Sequence, residues 1–218
     1  MEFRQLLDIV GEEPLFETGL LLSGDVDPGN MRRQLSRWTA AGKLYQLRRG
    51  LYTPAPPYQK VSPHPFLIAN RLVRASYVSL QAALAHYGLI PEHVPAVTSV
   101  TTARPSRRET PLGRYEFRHI KAALLYGYRL LDLGRDQQAF VAAPEKALLD
   151  LVYLQPGGDA PAYLRGLRLQ NLDRLDVDEL RRMAKRAGGP KLQRAAANIA
   201  ALAAQEAEEY EILSDCPS

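Results

Sequence analysis

The amino-acid sequence predicts an α+β protein with a small N-terminal part and a larger part that mixes helices with strands and ends in helices. Apolar residues recur at helical spacing in some segments and alternate at strand spacing in others. The β-branched run VTSVTT (97–102) is typical of a strand. Residues 53–65 contain five prolines, which disfavour regular structure and predict a linker between the two parts.

Composition limits the class of protein. With 218 residues, 46% hydrophobic and 24% charged, the chain can form one large domain or two modest ones and is too apolar to be disordered. No run approaches the roughly 18 consecutive apolar residues of a membrane-spanning helix. The N-terminal residues lack the basic start and cleavage site of a signal peptide, and the single cysteine, Cys216, excludes an internal disulfide and a multi-cysteine zinc site. We therefore expect a cytoplasmic protein without a membrane partner.

Two short helices are predicted at the N-terminus. Leu6, Ile9 and Val10 form the apolar stripe of the first, and Gly11 ends it. The second covers residues 18–22.

The third helix has the clearest start signals. Gly24 allows a turn, Asp27 is the expected N-cap, and Pro28 takes the first helical position. Val26 and Met31 occupy the two positions of a hydrophobic staple, which fixes how the chain enters the helix.

This third helix is predicted to have one apolar and one basic face. Met31, Leu35 and Trp38 recur at helical spacing, so we expect them to face the core. The opposite face and the helix start then present polar and basic side chains, namely Asn30, Arg32, Arg33, Ser36 and Arg37.

Residues 43–54, KLYQLRRGLYTP, predict a β-hairpin that turns at Arg48, Arg49 and Gly50. Three helices followed by a hairpin are the order of elements in a winged helix-turn-helix, so residues 1–57 are expected to be a DNA-binding domain whose third helix enters the major groove. Groove contacts are expected from Asn30, Arg32, Arg33, Ser36 and Arg37, and phosphate contacts from Lys43, Arg48 and Arg49.

Charge is segregated along the chain. Residues 1–27 carry one base and seven acids, whereas residues 28–57 carry six bases and no acid. An unbalanced positive stretch is the footprint expected of a nucleic-acid-binding surface. The alternative is a small helical module whose basic face is only solvated.

Residues 58–218 are expected to form the larger, mixed domain. Strand candidates lie within residues 95–103, 110–120, 124–134 and 138–144. Helices are predicted after the expected N-cap Ser79, from Pro144 to Pro156, and after a capping box of Asp176 and Glu179. The last long helix has a narrow apolar seam made of Leu192, Ala195, Ile199 and Leu202.

The sequence contains no catalytic signature. It has no glycine-rich phosphate loop, no GxSxG elbow and no metal-binding spacing among His64, His86, His93 and His119. Each histidine is expected to be structural, and Glu145 and Asp150 are expected at the surface or ends of a helix. We therefore predict a protein that is not an enzyme and that needs no cofactor and no metal.

A second basic segment lies in the larger domain. Residues 104–121 contain six bases and two acids. The bases are Arg104, Arg107, Arg108, Arg114, Arg118 and Lys121. Around a loop and a strand they could contact DNA phosphates, RNA or an acidic protein partner, or they could form a solvated face.

Four segments together are similar to one known family. They are RRQLSRWTAAGKLYQLRRGLYTP (32–54), YVSLQAALAHYGLIPE (77–92), VTSVTTARPSRRETPLGRYEFRHIK (97–121) and FVAAPEKALLDLVYLQP (140–156). In content and order they resemble the AbiEi-type antitoxins of bacterial abortive-infection systems, and the first resembles the winged-helix portion of that family.

The resemblance implies a phage-defence antitoxin that binds inverted repeats in its promoter, represses its own operon and neutralises a nucleotidyltransferase-like toxin, with or without a direct complex. Two copies are expected on DNA, as a dimer or as cooperatively placed monomers. The chain has no glycine followed by serine, so it lacks the Gly-Ser signature of such a toxin. The alternatives are a protein-interaction module that sequesters an acidic partner and a stand-alone winged-helix transcription regulator.

Overall fold

The computed structural model describes residues 1–22, 27–91 and 94–214. The predicted turn at Gly24, the Val26 half of the hydrophobic staple, His93 and Cys216 lie outside the described residues. Within them the chain is a mixed α+β protein with eight α-helices and two β-sheets. No described helix combines the length and the apolar character needed to cross a lipid bilayer.

The N-terminal part closely follows its predicted elements. In chain order it contains α1 (Phe3–Val10), β1 (Phe16–Glu17), a 3-10 helix (Thr18–Leu22), α2 (Pro28–Ala40), β2 (Leu44–Arg48) and β3 (Leu51–Pro54). The strand β3 lies between β1 and β2 in an antiparallel sheet. The sequence does not predict β1, because two residues are too few to show strand alternation.

The first helix is buried through a narrower stripe than expected. Leu6 and Val10 are buried, and Phe3 packs beside them in the same apolar cluster. Ile9 is 48% exposed, so its predicted place in the core is wrong. Phe3, Leu6 and Val10 follow one another at intervals of three and four residues, and this spacing turns Ile9 away from the cluster.

The hairpin is confirmed, and the linker is shorter than predicted. Arg48 pairs with Leu51, and Gly50 has a φ of +80° in the turn between them. The strand β3 continues to Pro54, and Ala55 is buried directly after it. The irregular connection between the two parts therefore begins only after Ala55.

The larger part is built on a six-stranded sheet. Its elements are α3 (Pro65–Leu72), β4 (Ser76–Val78), α4 (Leu80–His86), β5 (Val97–Thr101), β6 (Ser106–Thr110), β7 (Gly113–His119), a 3-10 helix (Ala122–Leu124), β8 (Tyr128–Asp132), β9 (Gln138–Ala142), α5 (Pro144–Leu154), α6 (Pro161–Gly166), a 3-10 helix (Leu172–Arg174), α7 (Val177–Ala187) and α8 (Pro190–Ser214). The strand order is β6-β7-β5-β4-β9-β8, with β5 parallel to β7 and β4 parallel to β9.

Several of these elements, among them β4, β6 and α3, are not predicted by the sequence. The strand β4 has three residues that are all buried, so it shows no alternation of polar and apolar side chains. The strand β6 is the charged sequence SRRET at one edge of the sheet. The helix α3 follows the proline-rich segment, and the His64 side chain caps it by accepting a hydrogen bond from the Phe66 amide.

The hydrophobic core falls into two clusters. The smaller belongs to the N-terminal part and includes Met31 and Leu35 of α2. The larger surrounds the six-stranded sheet and also takes in Leu15, Leu47 and Leu51 from the N-terminal part. The two parts are therefore packed against each other through apolar side chains.

The central helix of the larger part, α5, is buried on all sides. The elements α4, β9, α7 and α8 pack on it, and Glu145, Lys146 and Asp150 are each at most 5% exposed. The expectation that Glu145 and Asp150 lie at the surface or helix ends is therefore wrong for Asp150, which is buried in the middle of the helix; Glu145 does lie in the first turn of α5, although it too is buried. Their burial is possible because each carboxylate has hydrogen-bond donors, which for Glu145 include the backbone amide of Asp176.

Asp150 is the centre of a buried polar cluster. Its carboxylate forms an ion pair with Lys146, one turn earlier on α5. It also accepts hydrogen bonds from the Tyr77 hydroxyl at 3.0 Å and the Ser79 hydroxyl at 2.8 Å. Burial raises the pKa of Asp150 and lowers the pKa of Lys146, and their mutual attraction opposes both shifts.

This cluster changes how α4 is capped. Ser79 is the N-cap residue, as predicted, but its hydroxyl is committed to Asp150 and forms no cap hydrogen bond. Thr98 of β5 takes that role, since its hydroxyl accepts from the Ala82 amide and donates to the Ser79 carbonyl. Leu80 follows with a φ of +58°, a strained conformation for a side chain of this size.

We expect the substitution Asp150→Ala to lower the free energy of unfolding by about 3–5 kcal/mol, because it leaves the buried Lys146 ammonium without its counter-ion. Urea unfolding followed by circular dichroism measures this change. The double substitution Lys146→Met/Asp150→Leu should recover much of the loss, since it removes both charges. Exposed ion pairs typically contribute less than about 1 kcal/mol. A loss of unfolding free energy below this value for Asp150→Ala would contradict the stabilising role of the buried ion pair.

Candidate nucleic-acid interface

The helix α2 separates its apolar and basic faces as the sequence predicts. Met31 and Leu35 are buried, with exposed fractions of 2% and 0%. Trp38 is half-buried at the rim of the same cluster, and its ring meets the Phe3 ring edge-on at 5.4 Å between centroids. The predicted apolar ridge is therefore confirmed as the face that holds α2 against the N-terminal core.

The start of α2 is fixed by Asp27. Its carboxylate accepts hydrogen bonds from the amides of Gly29 at 3.3 Å and Asn30 at 2.7 Å, and Pro28 occupies the first turn. These bonds engage two of the amides that a helix N-terminus would otherwise offer to a phosphate. Recognition of DNA by this helix therefore has to depend on its side chains more than on its terminal amides.

The solvent face of α2 is basic and accessible. All five side chains predicted to make groove contacts are exposed. The three guanidinium groups among them form no ion pair and no hydrogen bond within the described part of the chain. The five residues predicted to make groove contacts are Asn30, Arg32, Arg33, Ser36 and Arg37.

Arg48 has a different environment from the one predicted. Its guanidinium donates to Glu17 at 2.9 Å, to the Arg71 carbonyl at 3.0 Å and to the Arg49 carbonyl at 3.1 Å. Glu17 also pairs with Arg74 at 3.0 Å. Arg48 thus fastens the hairpin to the larger part, and we leave it out of the set of expected phosphate contacts.

The other two predicted phosphate contacts lie beside the hairpin. Arg49 is exposed in the turn. The Lys43 ammonium lies 4.9 Å from the centroid of the Phe3 ring, a cation–π contact that leaves it only partly accessible. Arg49 is therefore the better placed of the two for a phosphate.

The second basic segment forms an edge of the large sheet. Its six basic side chains are all exposed, and they lie on or beside β6 and β7 rather than on a loop and one strand as predicted. Arg107 pairs with Glu116 at 3.2 Å, and Arg114 lies opposite Glu109 in the register. Charged side chains of this kind also protect an edge strand from pairing with other chains. The six basic residues of this segment are Arg104, Arg107, Arg108, Arg114, Arg118 and Lys121.

The histidines that the structure describes make contacts with neighbouring backbone groups or aromatic rings. His64 caps α3, His86 packs edge-on against the Phe66 ring at 5.4 Å, and the His119 ring lies 3.1 Å from the Ala103 carbonyl. Burial lowers the pKa of both His64 and His86. Among the described residues, no three histidine, cysteine or acidic side chains are grouped closely enough to hold a metal ion.

Sequence reasoning misses Glu17 and the cluster around Asp150. Glu17 lies 31 residues before Arg48 and 57 before Arg74, so no local pattern connects them. The Asp150 cluster does have a local signal, because Lys146 and Asp150 are one turn apart in a helix that is otherwise almost entirely apolar.

No family model and no curated protein matches the sequence. Charge and exposure mark the outer face of α2 as the strongest part of the candidate interface, and the exposed Arg49 turn lies next along the chain.

We expect Arg48→Ala to lower the free energy of unfolding by about 1–2 kcal/mol, because it removes charged hydrogen bonds that are partly shielded from water. The matched substitution Arg49→Ala should change it by less than about 0.5 kcal/mol, since that side chain is exposed. Urea unfolding of both variants measures the difference. Equal unfolding midpoints would show that Arg48 is not a structural fastener.

Proposed function

We propose that the chain is a DNA-binding regulator that places α2 in the major groove. The observation that carries this proposal is the division of α2 into two faces. Met31 and Leu35 fix the helix to the core, while Arg33, Ser36 and Arg37 are exposed on the other side. Arginine and serine side chains on one accessible helix face can reach base edges and phosphates together.

The surrounding topology supports a winged helix-turn-helix. The order is α1, β1, a 3-10 helix, α2, β2 and β3, with β3 between the other two strands. In this arrangement the β2–β3 hairpin is the wing, and the Arg49 turn is its tip. A wing beside the recognition helix contacts the DNA backbone or the minor groove.

Charge supports the same proposal. Residues 28–57, which form α2 and the hairpin, carry six bases and no acid. Five of the bases remain after Arg48 is assigned to its contact with Glu17. Such a surface attracts the phosphate backbone, and its affinity falls steeply with salt because bound cations are released from the DNA.

We further propose that this regulator is a cytoplasmic antitoxin that represses its own operon and neutralises a nucleotidyltransferase-like toxin. Support comes from the similarity of residues 32–54, 77–92, 97–121 and 140–156 to AbiEi-type antitoxins. Residues 1–57 would bind inverted repeats in the promoter, and residues 58–218 would supply neutralisation. The two activities would then depend on different surfaces.

We expect Arg33→Ala/Arg37→Ala to weaken binding to the protein's own promoter fragment by about a hundredfold or more, because each arginine contributes to groove or phosphate contacts. Electrophoretic mobility shift between 50 and 200 mM salt measures the affinity and its salt dependence. The control Arg165→Ala/Lys185→Ala removes two exposed charges outside the winged helix and should bind as the wild type does. Equal promoter binding by the two double variants would reject α2 as the recognition helix.

Co-expression with the product of the adjacent gene tests the antitoxin proposal. If that product is a toxin of this class, the wild type and Arg33→Ala/Arg37→Ala should both restore growth, since neutralisation belongs to the larger domain. If the wild type binds the promoter but does not restore growth, the result would reject the antitoxin proposal and support the alternative of a stand-alone regulator. Equimolar co-purification with the toxin and no promoter shift would instead support the protein-interaction alternative.

A further inference from the structure

A cleft opens between α3 and the β8–β9 hairpin, where the two parts of the protein meet. Its volume is about 520 Å³, and Glu13 and Pro14 of the N-terminal part also line it. This volume falls within the range of about 300–1,000 Å³ typical of small-molecule sites. We call it the hairpin cleft.

The floor of the hairpin cleft is aromatic and open to solvent. In the register Leu130 lies opposite Phe140, and Tyr128 is two residues from Leu130 on the same face of the sheet. The exposed fractions of Tyr128, Leu130 and Phe140 are 40%, 50% and 45%, and these three are among the most exposed large apolar residues that the structure describes. Contiguous exposed apolar patches are a feature of ligand-binding grooves and other interaction sites.

Contacts between aromatic rings hold the floor of the cleft in place. The Tyr128 ring stacks on the Tyr77 ring at 4.6 Å between centroids, and Phe140 meets Tyr128 edge-on at 5.6 Å. Tyr77 is buried, and its hydroxyl is bonded to Asp150. The aromatic surface is therefore preorganised, so a flat ring that stacks on it meets a floor already in position.

Basic and polar side chains complete the lining. Arg71 and Arg74 project from the last turn of α3 and the residues just after it, and both are exposed. The Arg71 guanidinium makes no hydrogen bond or ion pair with any residue that the structure describes, whereas Arg74 pairs with Glu17. Gln138 lies two residues before Phe140 on the same face, and its carboxamide has no hydrogen-bond partner among the described side chains and backbone groups.

We propose that the hairpin cleft binds a nucleoside phosphate. The base stacks on the face of one ring, Phe140 or Tyr128, and meets the other edge-on, because these two rings lie at 85° to each other. The phosphate is held by Arg71 and Arg74. The Gln138 carboxamide can donate to and accept from a base edge. The acidic lining residues, Glu13 and Asp136, supply acceptors for ribose hydroxyls.

The combination of groups selects this class of ligand. An apolar ligand would not use the two guanidinium groups, and inorganic phosphate would not use the aromatic floor. A nucleotide uses both, and its sugar uses the carboxylates. The site is separate from α2, so its occupation can be measured on the protein without DNA.

Isothermal titration of the full chain with AMP, GMP, CMP, adenosine and inorganic phosphate tests the proposal. At least one nucleotide should bind with a Kd on the order of 10–500 µM, as expected for an open site with few contacts. Adenosine should bind about tenfold more weakly than AMP, because it lacks the phosphate. No binding of any nucleotide at 5 mM, or equal affinity for AMP and inorganic phosphate, would overturn the proposal.

Two substitutions locate the binding. Phe140→Ser removes an exposed ring, and Arg71→Ala removes an exposed charge, so neither should disturb folding, which circular dichroism checks. Each should weaken nucleotide binding about tenfold. The matched controls are Leu20→Ser, an exposed apolar residue elsewhere, and Arg118→Ala at the far side of the sheet, and both should bind as the wild type does. Unchanged binding in both Phe140→Ser and Arg71→Ala would overturn the assignment to this cleft.

Discussion

The buried carboxylate of Asp150 ties the larger part of the protein together. It joins the central helix α5 to the central strand β4 through Tyr77 and to the start of α4 through Ser79. A buried charge costs free energy unless donors surround it, and here three side chains supply them. The same interaction orients Tyr77, on which the exposed Tyr128 ring rests. The interior and one surface of the sheet therefore share a single anchor.

A second ionic contact decides how the N-terminal part is attached. Glu17 lies between Arg48 of the hairpin and Arg74 beyond α3, and it accepts hydrogen bonds from both. Apolar contacts of Leu15, Leu47 and Leu51 with the larger core add to this junction. The hairpin is thereby fastened at its base, while its turn residue Arg49 stays exposed. The hairpin proposed as the wing is therefore held at its base and accessible at its tip.

The two edges of the large sheet have opposite chemistry. At one edge β6 carries Arg107 and Arg108, and an ion pair links it to β7. At the other edge β8 exposes Tyr128 and Leu130, next to Phe140 of β9. Charge makes the first edge unfavourable for pairing with another strand, whereas the second offers an apolar surface to a ligand. These differences separate three surfaces: the α2 face, the charged edge and the hairpin cleft.

Features that depend on near neighbours in the chain can be predicted from the amino-acid sequence. Periodicity and capping residues define α2, its Met31 and Leu35 ridge, its basic face and the hairpin that follows. Which charges stay exposed depends instead on long-range contacts of the folded chain. Arg48 is engaged by Glu17, and Glu145 and Asp150 are buried, since these outcomes depend on partners far along the chain. Local spacing fixes the direction in which a side chain leaves its helix or strand, but the fold determines which groups surround that side chain.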